Sequence, residues 1–115
     1  MPGPITTHVL DTSLGKPAVG MHAALETRTD ETTWRNLSEG VTDADGRINH
    51  LMPENSRLLP GVYRITFDTR AYFRNKNVDT FYPSVIITFE IKDPASHYHV
   101  PLLISPHGYS TYRGS

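Results

Sequence analysis

A chain of 115 residues has the length of one domain and leaves little room for a second, so residues 1–115 are expected to form a single domain. The 11 basic and 12 acidic side chains nearly cancel to a net charge of −1, and the basic residues form no run or stripe. A nucleic-acid-binding surface is therefore not expected. The absence of cysteine excludes disulfides, a thiolate nucleophile and thiolate metal ligands.

The ends of the chain and its hydropathy favour a soluble cytoplasmic protein that binds no membrane. Met1 to Ile5 shows neither the basic segment nor the apolar segment of a secretory leader, and no apolar run approaches membrane-spanning length. A domain of this size also has too small an interior for a deep pocket of its own. A sizeable binding site would therefore be a surface cleft, or a second subunit would complete it.

Turn signals recur about every ten residues, and most segments between them alternate apolar and polar side chains, which indicates an all-β sandwich or barrel. The turn at Thr42 to Gly46 is the clearest, because Asp and Gly supply the local hydrogen bonds and the positive φ of a tight reversal. The predicted strands are residues 5–10, 21–29, 33–38, a strand beginning at 47, 61–67, 84–91, 97–105, and a short one ending near 112. Asp68 and Thr69 cap the one predicted helix, Arg70 to Lys76.

The strand from His97 to Ser105 makes the most specific structural prediction. Side chains alternate across a strand, so one face carries only core-type side chains, namely Tyr98, Val100, Leu102 and Ile104. His99 then points to the other face. In the first strand, Ile5, Thr7 and Val9 likewise share one face and leave Thr6, His8 and Leu10 on the other. We therefore expect His8 and His99 to lie away from the core.

Two interpretations of these histidines are open. Most isolated surface histidines are ordinary solvent-facing side chains, and composition does not exclude that here. Leu10, Pro101 and Leu103 share the histidines' faces, however, and a fully exposed face rarely carries such residues. A mixture of histidine and apolar side chains favours a subunit interface or a cleft wall.

Histidine suits hydrolysis because its unperturbed pKa of about 6.5 lets it accept and return a proton near neutral pH. Arg47 follows the Asp45-Gly46 turn at the start of a strand, where a guanidinium is able to hold a planar, oxygen-rich substrate through paired hydrogen bonds. Spacing alone favours a solvated turn arginine. His8, His99 and Arg47 are the candidate catalytic residues.

A metal site is the alternative use of the same histidines. His97-Tyr98-His99 places two imidazoles on one strand face, His8 would add a third, and three histidines with one water make a catalytic zinc site. The sequence shows no carboxylate beside them, and His-x-His is a short and common pattern. We therefore expect no metal and no cofactor.

The C-terminal segment, Gly108 to Ser115, carries two tyrosines and an arginine where chain ends normally fray. It is either a docked segment whose α-carboxylate reaches a site, or a tail that completes the sheet. Ser110 and Ser115 stand in no nucleophile-elbow pattern, so neither is expected to be a nucleophile.

Three parts of the chain together resemble the 5-hydroxyisourate hydrolases, the transthyretin-related enzymes of purine catabolism. The first is Ile5 to Thr12, continuing to Gly15 to Ala18; the second is Thr42 to Arg47; the third is His97 to Leu103, followed at the chain end by Tyr112 to Ser115. They follow the family's order and span essentially the whole chain. The terminal tetrapeptide is the most specific of them, because it separates the enzymes from transthyretin itself.

The resemblance implies a transthyretin-like, eight-stranded β-sandwich with one short helix, assembled as a homotetramer with active sites between subunits. It implies a catalytic pair, His8 and His99, and a substrate-binding arginine, Arg47. The tail that would line the site consists of Tyr112, Arg113, Gly114 and Ser115, whereas His97 has a supporting or structural role.

The resulting hypothesis is hydrolysis of the small molecule 5-hydroxyisourate without a metal, with a histidine-activated water and Arg47 holding the substrate. The alternative from another class is a transthyretin-like carrier that binds a small aromatic ligand without turnover. A third is a sandwich interaction module with no small-molecule site.

Overall fold

The computed structural model describes residues 3–52 and 55–115, which contain nine strands and one helix. In chain order these are β1 (Ile5–Asp11), β2 (Lys16–Pro17), β3 (His22–Arg28), β4 (Trp34–Val41), β5 (Arg47–Met52), β6 (Gly61–Phe67), α1 (Thr69–Arg74), β7 (Val85–Ile91), β8 (Tyr98–Ser105) and β9 (Gly108–Thr111). In this part of the chain, no helix has the length and apolar character that a membrane crossing needs.

The strands form two sheets. One runs β2-β1-β8-β9, with β5 also paired to β1, and the other runs β4-β3-β6-β7. β1 and β8 pair in parallel, whereas the other strand pairs in these sheets are antiparallel. The all-β architecture with one short helix that the sequence predicts is confirmed, and β2 adds a two-residue strand to the eight expected.

The core lies between the sheets and contains the side chains that strand alternation assigned to it. Tyr98, Val100, Leu102 and Ile104 are buried on β8, beside Ile5 and Val9 on β1. From the opposite sheet they meet buried side chains that include Leu25, Ile65, Phe67 and Ile87. Thr7 is also buried on this face, where its hydroxyl donates to the Val100 carbonyl at 2.6 Å.

Several element boundaries differ from the predictions by one residue, and the ends of β4 and of α1 differ by two or more. β4 continues to Val41 instead of ending at Ser38, because it pairs with β3 along its whole length and a bulge after Leu25 keeps the two strands in register. The helix ends at Arg74 instead of Lys76, because the N–H groups of Lys76 and Asn77 bond to carbonyls three residues back, as in a tightened final turn, and Asn77 then adopts a positive φ of 58°. β9 ends at Thr111, where its pairing with β8 stops.

The buried carboxylate of Asp11 attaches the helix to the sheet that contains β1. The Tyr72 hydroxyl on α1 donates to Asp11 Oδ2 at 2.7 Å, and Asp11 Oδ1 accepts from the backbone N–H of Ser13 at 3.0 Å. Burial and the hydrogen bond to Asp11 raise the pKa of Tyr72, so its hydroxyl remains a donor throughout the neutral range. The C-terminal end of β1 is thereby held in place.

Candidate active site

The parallel pairing of β1 with β8 brings the predicted histidines together on the outer face of the sheet. Thr6 lies opposite His99 and His8 lies opposite Pro101. The ring centroids of His8 and His99 are 6.5 Å apart, with the planes tilted by 32°. His97 stands 6.5 Å from His99 with its ring nearly parallel. The histidine face therefore consists of His8, His97 and His99, all on the side away from the core.

Arg47 joins this face from β5, where antiparallel pairing places it directly opposite His8. The turn before it fixes where the strand begins: the Asp43 carboxylate accepts from the backbone N–H of Arg47 and of Asp45, each at 2.9 Å. Hydrogen bonding from the Arg47 backbone lowers the pKa of Asp43, so the carboxylate stays an acceptor well into the acidic range. Gly46 adopts a φ of +75° and passes so close to the Val9 carbonyl that a side chain there would collide with it.

Thr6 is the site residue that sequence reasoning missed. It is 3% exposed, and its Oγ1 lies 2.7 Å from Nδ1 of His99 and 3.3 Å from Nε2 of His97. Alternation placed it on the same face as His8, which was the signal available. The sequence does not show, however, that β8 lies beside β1, and without that neighbour nothing indicates that Thr6 contacts a histidine.

The environment of His99 favours its neutral form. Burial lowers the pKa of His99, and the positive charge of Arg47 and the neighbouring His8 and His97 lower it further. An imidazole that is neutral at neutral pH has a free lone pair, so it is able to accept a proton from a water molecule.

The C-terminal tail returns to β8 and contacts His99. The Gly114 N–H donates to the His99 carbonyl at 2.9 Å. A Cβ at Gly114 would stand 2.5 Å from Cδ2 of His99 and 3.3 Å from Cγ of Pro101, so only glycine lets the tail lie against the imidazole. Tyr112 is 61% exposed, and Ser115 is exposed immediately after Gly114.

The Arg113 side chain packs against Tyr98 instead of joining the histidine face. Gly114 occupies the histidine face, and its neighbour Arg113 lies on the opposite side, with Cζ 4.5 Å from the centroid of the Tyr98 ring. Its guanidinium also approaches the His97 carbonyl at 3.5 Å. There it bounds an apolar cavity of about 260 Å³ beside β7, which is lined also by Tyr98, Phe89, Tyr112 and His99.

The zinc alternative gains no support from the geometry. Within residues 3–52 and 55–115, no three His, Asp or Glu side chains are grouped as ligands of one metal ion. The three imidazoles on the histidine face stand side by side, with ring centroids 6.5 Å apart for each neighbouring pair.

The structure thus defines a transthyretin-like β-sandwich with histidines and an arginine on one outer sheet face, and comparisons with known proteins agree. The family model described as "HIUase/Transthyretin family" matches residues 5–114. A 5-hydroxyisourate hydrolase of Salmonella dublin is 49% identical over 111 residues, covering 96% of this chain and 80% of that protein. The chain belongs to the HIUase/transthyretin family, which confirms the resemblance found in the sequence.

Solved structures from both branches of the family share the fold. The 5-hydroxyisourate hydrolase of Klebsiella pneumoniae superposes with a TM-score of 0.83 at 37% identity, covering 96% of this chain and 98% of that one. Sea bream transthyretin in complex with thyroxine gives 0.88 at 34% identity, covering 96% and 94%. Backbone similarity is therefore as high to a transthyretin as to a hydrolase, and the residues of the site have to distinguish the two functions.

Replacing Arg47 with glutamine should raise the pKa of His99 towards its ordinary value. A cation beside an imidazole disfavours the protonated form, so removing the guanidinium makes protonation easier. The pKa is measured from the His99 ring proton shifts in an NMR titration. Arg70→Gln, on α1 and exposed, is the matched control and should leave the His99 pKa unchanged. A His99 pKa that is unchanged or lower in Arg47→Gln would contradict the assignment.

Proposed function

We propose that this chain hydrolyses 5-hydroxyisourate to 2-oxo-4-hydroxy-4-carboxy-5-ureidoimidazoline, a step of urate degradation, without a metal ion. The observation that carries the proposal is the meeting of His8, His99 and Arg47 on one sheet face. It is supported by the 49% identity to a protein named for this activity.

Arg47 binds the substrate in this mechanism. Its guanidinium offers N–H donors in a planar fork that matches the adjacent oxygens of a flat bicyclic molecule. It is exposed at the start of β5, and the Asp43 turn holds its backbone. The side chain is therefore free to meet a ligand that arrives from outside the sheet.

His8 and His99 move the protons. One imidazole takes a proton from a water molecule, whose oxygen attacks the ring carbonyl; the ring C–N bond then breaks and the proton passes to the departing nitrogen. General acid–base catalysis of this kind contributes typically about 10²–10⁴-fold, and holding the water in line and stabilising the oxyanion supply the remainder. The lowered pKa of His99 suits it to the role of base.

The tail closes the site in this proposal. Gly114 contacts the ring of His99, so we infer that the neighbouring Tyr112 and Ser115 reach a substrate bound beside this histidine. Arg113 contributes by anchoring the tail, through its contacts with the Tyr98 ring and the His97 carbonyl. In this proposal Arg113 holds the tail in place and does not itself bind the substrate.

A homotetramer with sites between subunits, in the cytoplasm, completes the proposal. In one chain the histidine face is open, with His8 half-buried and Arg47 exposed, so a neighbouring copy would have to exclude bulk water from the reaction. We expect a mass of about four chains of 12.9 kDa in gel filtration with light scattering. A monomer at micromolar concentration would rule out a site formed between subunits.

A transthyretin-like carrier is the second candidate, and the similarity to a transthyretin solved with thyroxine supports it. A carrier binds an aromatic ligand without consuming it and needs neither a neutral histidine nor a glycine pressed against that histidine. The two functions differ in turnover, which the following experiments measure.

Replacing His8 or His99 with asparagine should abolish the acceleration of 5-hydroxyisourate decay, with a fall in kcat of about 100-fold or more, because asparagine keeps the polarity but accepts no proton at neutral pH. The measurement is the loss of ultraviolet absorbance of freshly generated substrate. His22→Asn, on the other sheet and paired with Glu39, is the matched control and should keep normal activity. Decay no faster than the spontaneous rate with the unmodified protein would favour the carrier, and full activity of both variants would disprove the site.

In the unmodified protein kcat should fall as the pH drops through the pKa of His99, since protonation removes the lone pair that accepts the proton. Because burial and Arg47 lower that pKa, the acidic limb should lie below pH 6.5, the ordinary value. The pH dependence of kcat measures this directly. An acidic limb above pH 6.5 would mean that a group other than His99 controls the rate.

Gly114→Ala should lower kcat strongly, by about 10-fold or more, because the new methyl group displaces the His99 ring from its working position. Gly108→Ala is the matched control in the same C-terminal segment: its Cβ would meet only the Ser105 hydroxyl, at an ordinary 3.7 Å. Both variants are assayed by the same absorbance decay. Equal activity of the two variants would show that the contact between the tail and His99 does not contribute to turnover. The carrier alternative expects that result.

A further inference from the structure

Thr6 holds a position between two imidazoles that the mechanism above does not use. Its Oγ1 lies 2.7 Å from Nδ1 of His99 and 3.3 Å from Nε2 of His97. The two rings are nearly parallel, with centroids 6.5 Å apart. Thr6 is 3% exposed, so bulk water does not compete for its hydroxyl.

A hydroxyl group carries one hydrogen and therefore donates to only one of the two nitrogens at a time. When it donates to His97, Nδ1 of His99 must carry a hydrogen and donate to Oγ1, and Nε2 of His99 is left with a free lone pair. When it donates to His99, Nε2 of His97 must carry the hydrogen. The protonation states of the two rings are thus coupled through Thr6.

We propose that the Thr6 hydroxyl relays a proton between His99 and His97, so that the positive charge created when His99 deprotonates the attacking water comes to rest on His97. This inference rests on the proposed function, in which His99 handles the proton of water. It makes Thr6 and His97 positioning residues that act through His99.

The relay conserves atoms and charge at each step. Nε2 of His99 takes a proton from water while Nδ1 of His99 gives its own proton to Oγ1 of Thr6. The Thr6 hydroxyl hydrogen moves to Nε2 of His97, and the hydroxide attacks the substrate carbonyl. His99 is then neutral with a hydrogen on Nε2, and His97 is an imidazolium. The reverse transfer accompanies protonation of the departing ring nitrogen and restores the starting state.

The electrostatic surroundings favour charge on His97 over charge on His99. The charged and titratable side chains that face His99 are Arg47 from β5, His8 from β1 and His97, which immediately precedes β8. His99 is half-buried and burial lowers its pKa, whereas His97 is exposed and its charge is stabilised by water. Moving the charge outward removes it from the vicinity of Arg47.

The first test reads hydrogen positions without any substrate. Nitrogen-15 NMR of the unmodified protein near neutral pH should show that, of Nε2 of His97 and Nδ1 of His99, one carries a hydrogen and the other does not. Thr6→Val keeps the shape of the side chain but lacks the hydroxyl. In this variant the presence of a hydrogen on one of the two nitrogens should no longer depend on its absence from the other. A hydrogen on both facing nitrogens, or on neither, would overturn the proposal.

The second test measures turnover. Thr6→Val should lower kcat by roughly 10–100-fold with little change in KM, because binding groups are untouched while the proton route is cut. Thr6→Ser restores a hydroxyl and should recover most of the activity. Thr7→Val is the matched control on the same strand: it removes a buried hydroxyl that faces the core and bonds Val100, and should leave kcat within about twofold.

His97→Asn tests the same route from the exposed end, where a substitution does not disturb the core. It should lower kcat, and the Thr6→Val/His97→Asn double variant should be no slower than Thr6→Val alone, since both changes interrupt one path. Additive losses, or normal turnover by Thr6→Val, would refute the relay while leaving the proposed hydrolysis intact. Absence of hydrolysis by the unmodified protein would refute the function itself.

Discussion

The parallel pairing of β1 with β8 is the constraint on which the site depends. These strands begin 93 residues apart in sequence, yet their register sets Thr6 opposite His99 and directs the histidines to one side and the core side chains to the other. A slip of one residue would turn every side chain of one strand to the opposite face. The apolar residues that β1 and β8 bury therefore also hold the imidazoles in place. A change that disturbs the packing of these strands would also disturb the geometry of the site.

Charge on the histidine face is limited by its neighbours. Arg47 is held at the start of β5 by the Asp43 turn, and its guanidinium disfavours a second positive charge on half-buried His99. The same cation that would bind an oxygen-rich substrate thus favours the neutral form of His99, which is the form that the proposed mechanism needs. The proposed relay through Thr6 extends this balance, because it gives the transferred proton a resting place at the exposed edge of the cluster.

One backbone fold serves two kinds of protein in this family. Similarity to a hydrolase and to a thyroxine-bound transthyretin is comparable at the level of the backbone, with TM-scores of 0.83 and 0.88. The core of the sandwich therefore does not determine whether a ligand is turned over, and side chains outside the core distinguish the two functions. Gly114 is informative in this respect, since a carrier has no evident need for a residue without a side chain against the His99 ring.

The sequence by itself determined the class of fold, the core faces of β1 and β8, and the outward direction of His8 and His99, because strand alternation is a local property with a period of two residues. It also determined the turn before Arg47, where Asp and Gly have local conformational roles. Only the tertiary structure decided which strands are neighbours. That choice depends on contacts between distant segments, and it put Thr6 between two histidines, turned Arg113 towards Tyr98 and pressed Gly114 against His99. No short-range pattern encodes these three placements, because each is a contact between residues that meet only when strands or the tail pair across the sheet.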